Sequence, residues 1–421
     1  MKNIWLWNHY ATDAYKNRGG RHYWFAENLI KQGYKATVFG ANTYHNKAEF
    51  IDTKDKRYAI DMVNGIPFVF VKTTPALGNG IARVKNMVLF YRNLFPVAKA
   101  YAKANGKPDV ILASSVHPLT MVAGIQMAKK LKAPCICEVR DLWPETLVKL
   151  GKLSEKSLLA KFMYKLERYI YTKADSLIFT MEGGEKYIDD KGWTPQVGIN
   201  KVNHINNGTD LEAYNRRRLE ELYVDAELDA KDVFKVMYTG SLGQANAPNF
   251  IVESAKIIQD KGYHNIKFII FGEGNKKKEL KHFCKYNQLN NVIFNEKVEK
   301  KFIPSILERS DLNLFTGQQT DLYDYGLSLN KMFDYMASGK PTVSNIECGY
   351  DILKRYNCGI TVEGGNAEKL ADGILKIYAL SKKDYEEYCE NALKAAKDYD
   401  FKKLTAKLKN IIDETILKYK G

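Results

Sequence analysis

No stretch of this chain approaches the roughly 18 consecutive apolar residues that a membrane-spanning helix requires. Its opening segment, Met1 to Asn8, is too short and too polar for a secretion signal and reads as a first β-strand. These two absences lead to the expectation of a cytoplasmic protein. Cysteine is sparse. Cys135, Cys137, Cys284, Cys348, Cys358 and Cys389 form no pair of C-x-x-C units, and of the seven histidines only His282 lies near one of them. That pattern argues against zinc and for reduced thiols. Neither a repeat of about 20–50 residues nor a low-complexity tract is present. The glycines after the first strand lack the G-x-G-x-x-G spacing, and no acid closes the second strand. A nicotinamide cofactor is therefore disfavoured. No Asp-x-Asp with open surroundings and no histidine cluster offers an obvious divalent-metal site, so no metal is expected.

What remains is a globular composition. The 421 residues are 27% charged and 45% hydrophobic, enough for two domains with full cores. Charge is distributed unevenly. Residues 1–200 hold 30 Lys and Arg against 17 Asp and Glu, a balance of +13, whereas the rest carries +2 of the overall +15. The first half is thus suited to something anionic: nucleic acid, phospholipid headgroups or a phosphorylated substrate.

Strand-like and helix-like segments alternate through residues 1–206, the signature of a parallel sheet with helices on both faces. Strands are expected at 4–7, 36–39, 68–71, 110–113, 135–139, 176–180 and 202–206. Helices are expected near 20–32, 81–104, 117–131, 155–172 and 182–191. The rhythm breaks over residues 207–231, a turn cluster followed by dense mixed charge, which reads as an interdomain linker. A second alternation covers 232–400, and 401–421 reads as a closing helix, with a return to the first domain left open. The expected fold class is α/β: two doubly wound Rossmann-like domains facing a central cleft, with ligands at the C-terminal ends of the strands.

The most informative window is Tyr325 to Pro341. Tyr325, Gly326, Leu327, Ser328 and Asn330 form a loop that opens a helix, and Gly339 with Pro341 stops it. Gly326 and Ser328 are expected to form a flexible, capping entry. Free amides, the positive helix end, Lys331 and, one turn inside, Asp334 suit a phosphate ester beside a hydroxyl-bearing group. An ordinary capped helix with a surface lysine fits the same window. Three further loops follow strands. Gly19 and Gly20 sit before a helix, where a backbone can approach a ligand. Gly240, Ser241, Gln244 and Asn246 make a small polar loop fit for a pyrophosphate held by neutral donors. Gly272 and Gly274 form a G-x-G at a strand end, and a tight turn explains that spacing equally well. In Glu138-Val-Arg-Asp-Leu-Trp-Pro-Glu145, the expected chemical groups are Glu138, Arg140 and Asp141, with Trp143 and Pro144 fixing the loop. An Arg140–Asp141 ion pair closing a structural turn is the plainer alternative.

Together these segments resemble the GT-B glycosyltransferases of family 4, most closely the bacterial branch that assembles surface polysaccharides, typified by N-acetylfucosaminyl transferases. The resemblance spans nearly the whole chain and is most specific at 138–145 and 328–337. It implies a nucleotide-sugar donor, UDP-linked, bound mainly by the second domain, and a lipid-linked saccharide acceptor bound mainly by the first. Asp334 matches the carboxylate that holds the donor ribose. Residues 325–331 match the loop around the sugar and β-phosphate, the 239–246 loop matches the pyrophosphate loop, and Gly19-Gly20 matches the N-terminal glycine loop. Asp141 falls where many members place a catalytic histidine. The paired glutamates of the wider family are represented here by Gly326 and Asp334, and the usual Arg and Lys of the pyrophosphate loop are absent, a gap that Lys331 is placed to fill. The implied reaction retains anomeric configuration and needs neither cofactor nor metal. It would serve O-antigen, capsule or related polysaccharide synthesis at the inner membrane face, by peripheral association with an anionic surface.

Two rivals stay open at this level. A nucleotide-sugar 2-epimerase shares such a fold, but it has no use for a basic first domain. A nucleic-acid-binding protein would suit the basic isoelectric point, yet no known module appears and no nucleic-acid partner is expected. The segment 80–103 mixes bulky apolar residues with Arg83, Lys85, Arg92, Lys99 and Lys103. It reads as an interfacial helix or as a core helix with a solvated basic face.

Overall fold

The computed structural model describes Met1–Gly78 and Gly80–Gly421. The chain divides into two compact units: Met1–Asn206 together with Phe401–Gly421, and Asn207–Asp400.

The first unit is built on eight strands: β1 (Asn3–Asn8), β2 (Lys35–Ala41), β3 (Tyr58–Val63), β4 (Ile66–Val71), β5 (Val110–Ser114), β6 (Cys135–Val139), β7 (Ser176–Phe179) and β8 (Val202–His204). Their order is β3-β4-β2-β1-β5-β6-β7-β8. All neighbours are parallel except β3 and β4. The Ile4-Trp5-Leu6-Trp7 run is buried throughout, as expected of a central parallel strand covered on both faces. Trp5 packs on Phe39 and edge-on to Tyr101, with ring centres 5.0 and 5.6 Å apart. The Phe401–Lys420 helix lies against the Arg21–Lys31 helix, where Phe25 and Phe401 meet edge to face at 5.6 Å. β3 escapes the sequence pattern because it is an edge strand with three exposed residues in succession. β8 ends at His204, two residues short of the expected strand.

The 81–104 expectation corresponds to one helix, Ile81–Asn105, which runs through Pro96. It buries Phe90, Leu94, Val97 and Tyr101, while its first two turns leave Ile81, Val84 and Val88 in the open.

The second unit carries six parallel strands: β9 (Phe234–Thr239), β10 (Ile266–Phe271), β11 (Val292–Asn295), β12 (Leu312–Phe315), β13 (Thr342–Ser344) and β14 (Gly359–Thr361). The order is β11-β10-β9-β12-β13-β14. Residues 207–231 are not a free linker. Tyr214 and Leu228 are buried in one cluster with Met237, Phe271 and Ile306, so the segment packs as part of this unit.

Each sheet reverses its strand order once, between β1 and β5 in the first unit and between β9 and β12 in the second. The loops leaving those strands diverge and open a crevice, the usual ligand position in such sheets.

Candidate active site

In the second unit, the loop after β9 meets the Asn330–Ala337 helix at the switch point. The helix is amphipathic, burying Met332, Phe333, Tyr335 and Met336. Tyr335 is fixed by the β9 end, where the Thr239 N–H donates to its hydroxyl at 3.0 Å. Lys331, one turn earlier, then points at the loop. Its ammonium donates to Asn246 Oδ1 at 3.2 Å and to the Tyr238 hydroxyl at 3.3 Å. It lies 4.7 Å from the centre of the Tyr238 ring and 5.0 Å from that of Phe315. The residue as a whole is half-buried, but protein crowds the ammonium closely enough that burial pushes its pKa down to about 7. Among the described residues no carboxylate pairs with it.

Asp334 takes the other side of the helix and accepts from the Thr209 hydroxyl at 2.8 Å. Burial raises its pKa, against that hydrogen bond and the fields of Lys300 and Arg217. Ser328 is not the cap. Leu329 occupies that position with no side-chain cap, while the Ser328 hydroxyl accepts from the Asn207 N–H at 3.0 Å. The helix mouth therefore keeps amides that no side chain satisfies, with no acid in its first turn. Leu327 is buried, Tyr325 and Gly326 are half-buried and Asn330 is exposed. Gly326 has φ +95°, a conformation that favours glycine. Ser241 and Gln244 face solvent, and Asn246 is half-buried beneath Lys331.

The structure gives Gly272 and Gly274 a different job from the expected ligand approach. A side chain on Gly272 would stand 2.0 Å from the Gly240 carbonyl oxygen, and one on Gly274 would stand 2.3 Å from the Leu242 backbone. The two loops are zipped together, Gly240 N–H to Phe271 O at 3.0 Å and Leu242 N–H to Glu273 O at 2.8 Å. Those glycines thus fix the shape of the 240–246 loop.

In the first unit, Gly20 has φ +97° and precedes the Arg21–Lys31 helix, while a side chain added at Gly19 would meet Trp24 at ordinary contact distance. The residue that matters there is Arg21. Its Nε donates to Glu138 Oε1 at 2.7 Å, and its terminal nitrogens donate to the carbonyls of Asn206 and Ile205 at 2.6 and 2.9 Å. The other oxygen of Glu138 accepts from Ser114 at 2.6 Å and faces His22 Nε2 at 3.1 Å. Burial alone would raise this carboxyl, but Arg21, His22 and Arg140 outweigh it and hold it well below the usual carboxylate range. Glu138 is fully buried, and both its oxygens are engaged. Glu138, expected among the chemical groups, thus stands as a buried anchor beneath the loop.

Asp141 is exposed. It stands in a recess of about 230 Å³ lined by Ser115, Met121, Trp143, Glu167 and Tyr171. Crowding raises its pKa while Arg140 lowers it, and contact with solvent limits the rise. The ion pair between Arg140 and Asp141 is not formed. The Arg140 backbone N–H is held by Ser115 Oγ at 2.8 Å, and its Nε has no acceptor among the described residues. Glu167, absent from the sequence expectations, accepts from the Tyr171 and Tyr187 hydroxyls at 2.8 and 2.9 Å. Burial raises its pKa to about 8 despite those two bonds. One acid inside a Lys- and Arg-rich helix looks like surface; only its spacing to Ile170 and Tyr171 on the buried side marks it.

Comparison with known proteins bears on the domains and the fold. Residues 20–199 match the glycosyl transferase 4-like domain, and residues 233–379 match the glycosyl transferases group 1 domain. An uncharacterized glycosyltransferase of Methanocaldococcus jannaschii is 23% identical over 289 residues, 62% of this chain and 69% of that protein. The sucrose-phosphate synthase of Thermosynechococcus elongatus is similar in structure, with a TM-score of 0.72 at 15% identity over 99% of this chain and 100% of that one. Anabaena HepE in complex with UDP has a TM-score of 0.67 at 14% identity, over 98% and 100% of the two chains. With both domain types in tandem on two Rossmann-like halves, the chain belongs to the GT-B glycosyltransferases.

Proposed function

We propose that this enzyme transfers an N-acetylated hexosamine or deoxyhexosamine from UDP to a phosphate-bearing acceptor, with retention of configuration and without a metal. The observation that carries this reading is Lys331, an enclosed cation with no carboxylate partner among the described residues, beside an uncapped helix mouth. A diphosphate supplies the missing negative charge. As the sugar–phosphate bond breaks, charge grows on the leaving diphosphate. A fixed ammonium and fixed amides stabilise that charge without the reorganisation that water would need. Asp334 suits a ribose hydroxyl, and Asp141 suits the acceptor hydroxyl as orienting group or base. HepE in complex with UDP supports uridine as the base.

The acceptor of this proposal is a lipid-linked saccharide used in bacterial O-antigen or capsule synthesis. The basic first half of the chain and the exposed apolar start of the Ile81–Asn105 helix support it. A soluble sugar phosphate, the kind of substrate that the name sucrose-phosphate synthase brings to mind, is the second reading, and it shares the phosphate. A thermal-shift screen of the purified chain against a panel of nucleotide sugars tests the donor half. UDP-linked hexosamines are expected to raise the melting temperature most. A response only to purine nucleotides, or loss of turnover in EDTA, would overturn it.

A further inference from the structure

The switch point of the first unit holds a second recess that the groups above do not use. Because β1 and β5 are neighbours, the residues that follow them meet, and His9 Nδ1 lies 2.6 Å from His117 Nε2. Both rings are buried, and burial holds both in the neutral form, His117 down to about 3. The pair forms a rigid base. His9 stacks on Phe90 at 4.4 Å and on Tyr10 at 4.6 Å. Tyr10 in turn meets the His45 ring at 4.5 Å, and the Arg83 guanidinium lies 5.9 Å from its ring centre.

Tyr10, His45 and Arg83 line one side of an open recess of about 240 Å³, with Thr43 and Asn86 beneath. Asn86 cannot swing out. Its amide donates to the Thr74 carbonyl at 2.6 Å and to the hydroxyls of Thr43 and Thr73 at 3.1 and 3.2 Å. The recess opens beside the start of the Ile81–Asn105 helix, which has no side-chain cap and no acid in its first turn. Its positive end adds to the field of Arg83. At the rim, Lys16 and Lys47 lie 5.0 and 5.7 Å from the centre of the Tyr44 ring. The carboxylates nearby are Glu49, tied to Lys16 at 2.9 Å, and Asp13, whose field reaches His45. Inside the recess, donors predominate: a guanidinium, an imidazole and a phenol. A planar fork beside rotatable donors fits a group that offers acceptor oxygens on several sides.

We propose that this recess binds the phosphate of the acceptor, with Arg83 and His45 as its main ligands and Tyr10 as their platform. The proposal rests on the reading of the chain as a glycosyltransferase with a phosphate-bearing acceptor, and it adds the place where that phosphate sits. Two sources supply the same chemistry, a polyprenyl diphosphate and a sugar phosphate, so the experiment carries one arm for each.

The full chain is saturated with UDP, to fill the donor site, and titrated calorimetrically with farnesyl diphosphate and, separately, with glucose 6-phosphate. One of the two is expected to bind. Arg83→Gln should weaken it by about tenfold or more, Arg83→Lys by less, and His45→Gln measurably, all with unchanged UDP affinity and melting temperature. Binding of farnesyl diphosphate assigns the recess to a lipid diphosphate, and binding of glucose 6-phosphate assigns it to a soluble sugar phosphate. Failure of both to bind the wild type, or equal affinity in wild type and Arg83→Gln, overturns the proposal. The UDP titration stands apart: if UDP does not bind, the donor reading fails, whatever Arg83 does.

Discussion

The guanidinium of Arg21 and the carboxylate of Glu138 meet at 2.7 Å although 117 residues separate them in the chain. The side chains of both are almost wholly shielded from water, at 3% and 0% exposure. Removing one partner from such a pair strands a charge, which costs about 3–5 kcal/mol. Glu138→Ala should therefore lower the stability of the first unit by about that amount in urea unfolding, and UDP affinity should persist. A Glu138→Ala variant as stable as the wild type but without turnover would return Glu138 to the chemical groups.

Lys331 gives the donor site a pH dependence whose sign can be worked out. Its pKa is held at about 7, below the 10.5 of a free lysine, so it loses its proton as pH rises past neutrality. A diphosphate binds the protonated form. UDP affinity should fall between about pH 7 and 9, above the second ionisation of the terminal phosphate. Lys331→Arg should flatten that dependence, and Lys331→Ala should lose about 2–4 kcal/mol of transition-state stabilisation. A pH-independent affinity in the wild type would mean that the ammonium does not touch the phosphates.

Glu167 imposes a pH signature of the same sign, on stability. Its pKa rises from 4.5 to about 8, so the folded protein keeps a proton that the unfolded chain releases. Stability of the first unit should decline as pH climbs through that window, fully retained below it. Glu167→Gln should remove the decline. Parallel pH profiles for the variant and the wild type would show that the acid is already ionised.

Asp141 stands on the first unit, whereas Lys331 and Asp334 stand on the second. Asp141→Asn should keep UDP affinity and lose turnover by about two orders of magnitude or more, the range of a general base. Loss of UDP binding in this variant would place Asp141 with the donor.

The start of the Ile81–Asn105 helix should contribute to docking on anionic lipid. Ile81 is 88% exposed and Val84 58%, with Lys85 and Arg92 alongside. No helix among the described residues is long and apolar enough to cross a membrane. Basic residues near an anionic surface contribute about 1 kcal/mol each, and salt screens them. Vesicle sedimentation should show binding to anionic liposomes that weakens at high salt and drops in a Lys85→Gln, Arg92→Gln variant. Equal binding to neutral liposomes would refute the electrostatic part.

Most of the fold was legible because parallel strands buried on both faces announce themselves as apolar runs, as Ile266 to Phe271 does in β10. The edge strand β3 was not, since only its last residue is buried. At the proposed donor site, Lys331 and Asp334 form a helix-mouth pattern visible in the sequence, whereas the cap, Leu329, carried no chemical signal. Arg21 with Glu138, and His9 with His117, were invisible. His9 and His117 follow neighbouring strands, while Arg21 opens a helix and Glu138 lies in β6, and only the fold brings the partners together. Gly272 and Gly274 misled for a related reason. Spacing shows that a backbone must come close, but not whether it meets a ligand or a neighbouring loop.

The placement of Phe401–Gly421 in the first unit has a consequence for how the chain is made. In covalent order the first unit is a host interrupted by a continuous guest, Asn207–Asp400. Phe401, Leu404, Leu408, Ile412 and Ile416 are buried, so the host lacks part of its core until that helix arrives. During synthesis the guest has all of its residues before the host does, although it starts later. The N-terminal half therefore waits on a nascent chain with an open groove and completes its fold last. Truncations behind Asp400 would accordingly injure the half of the protein that lies furthest from them in sequence.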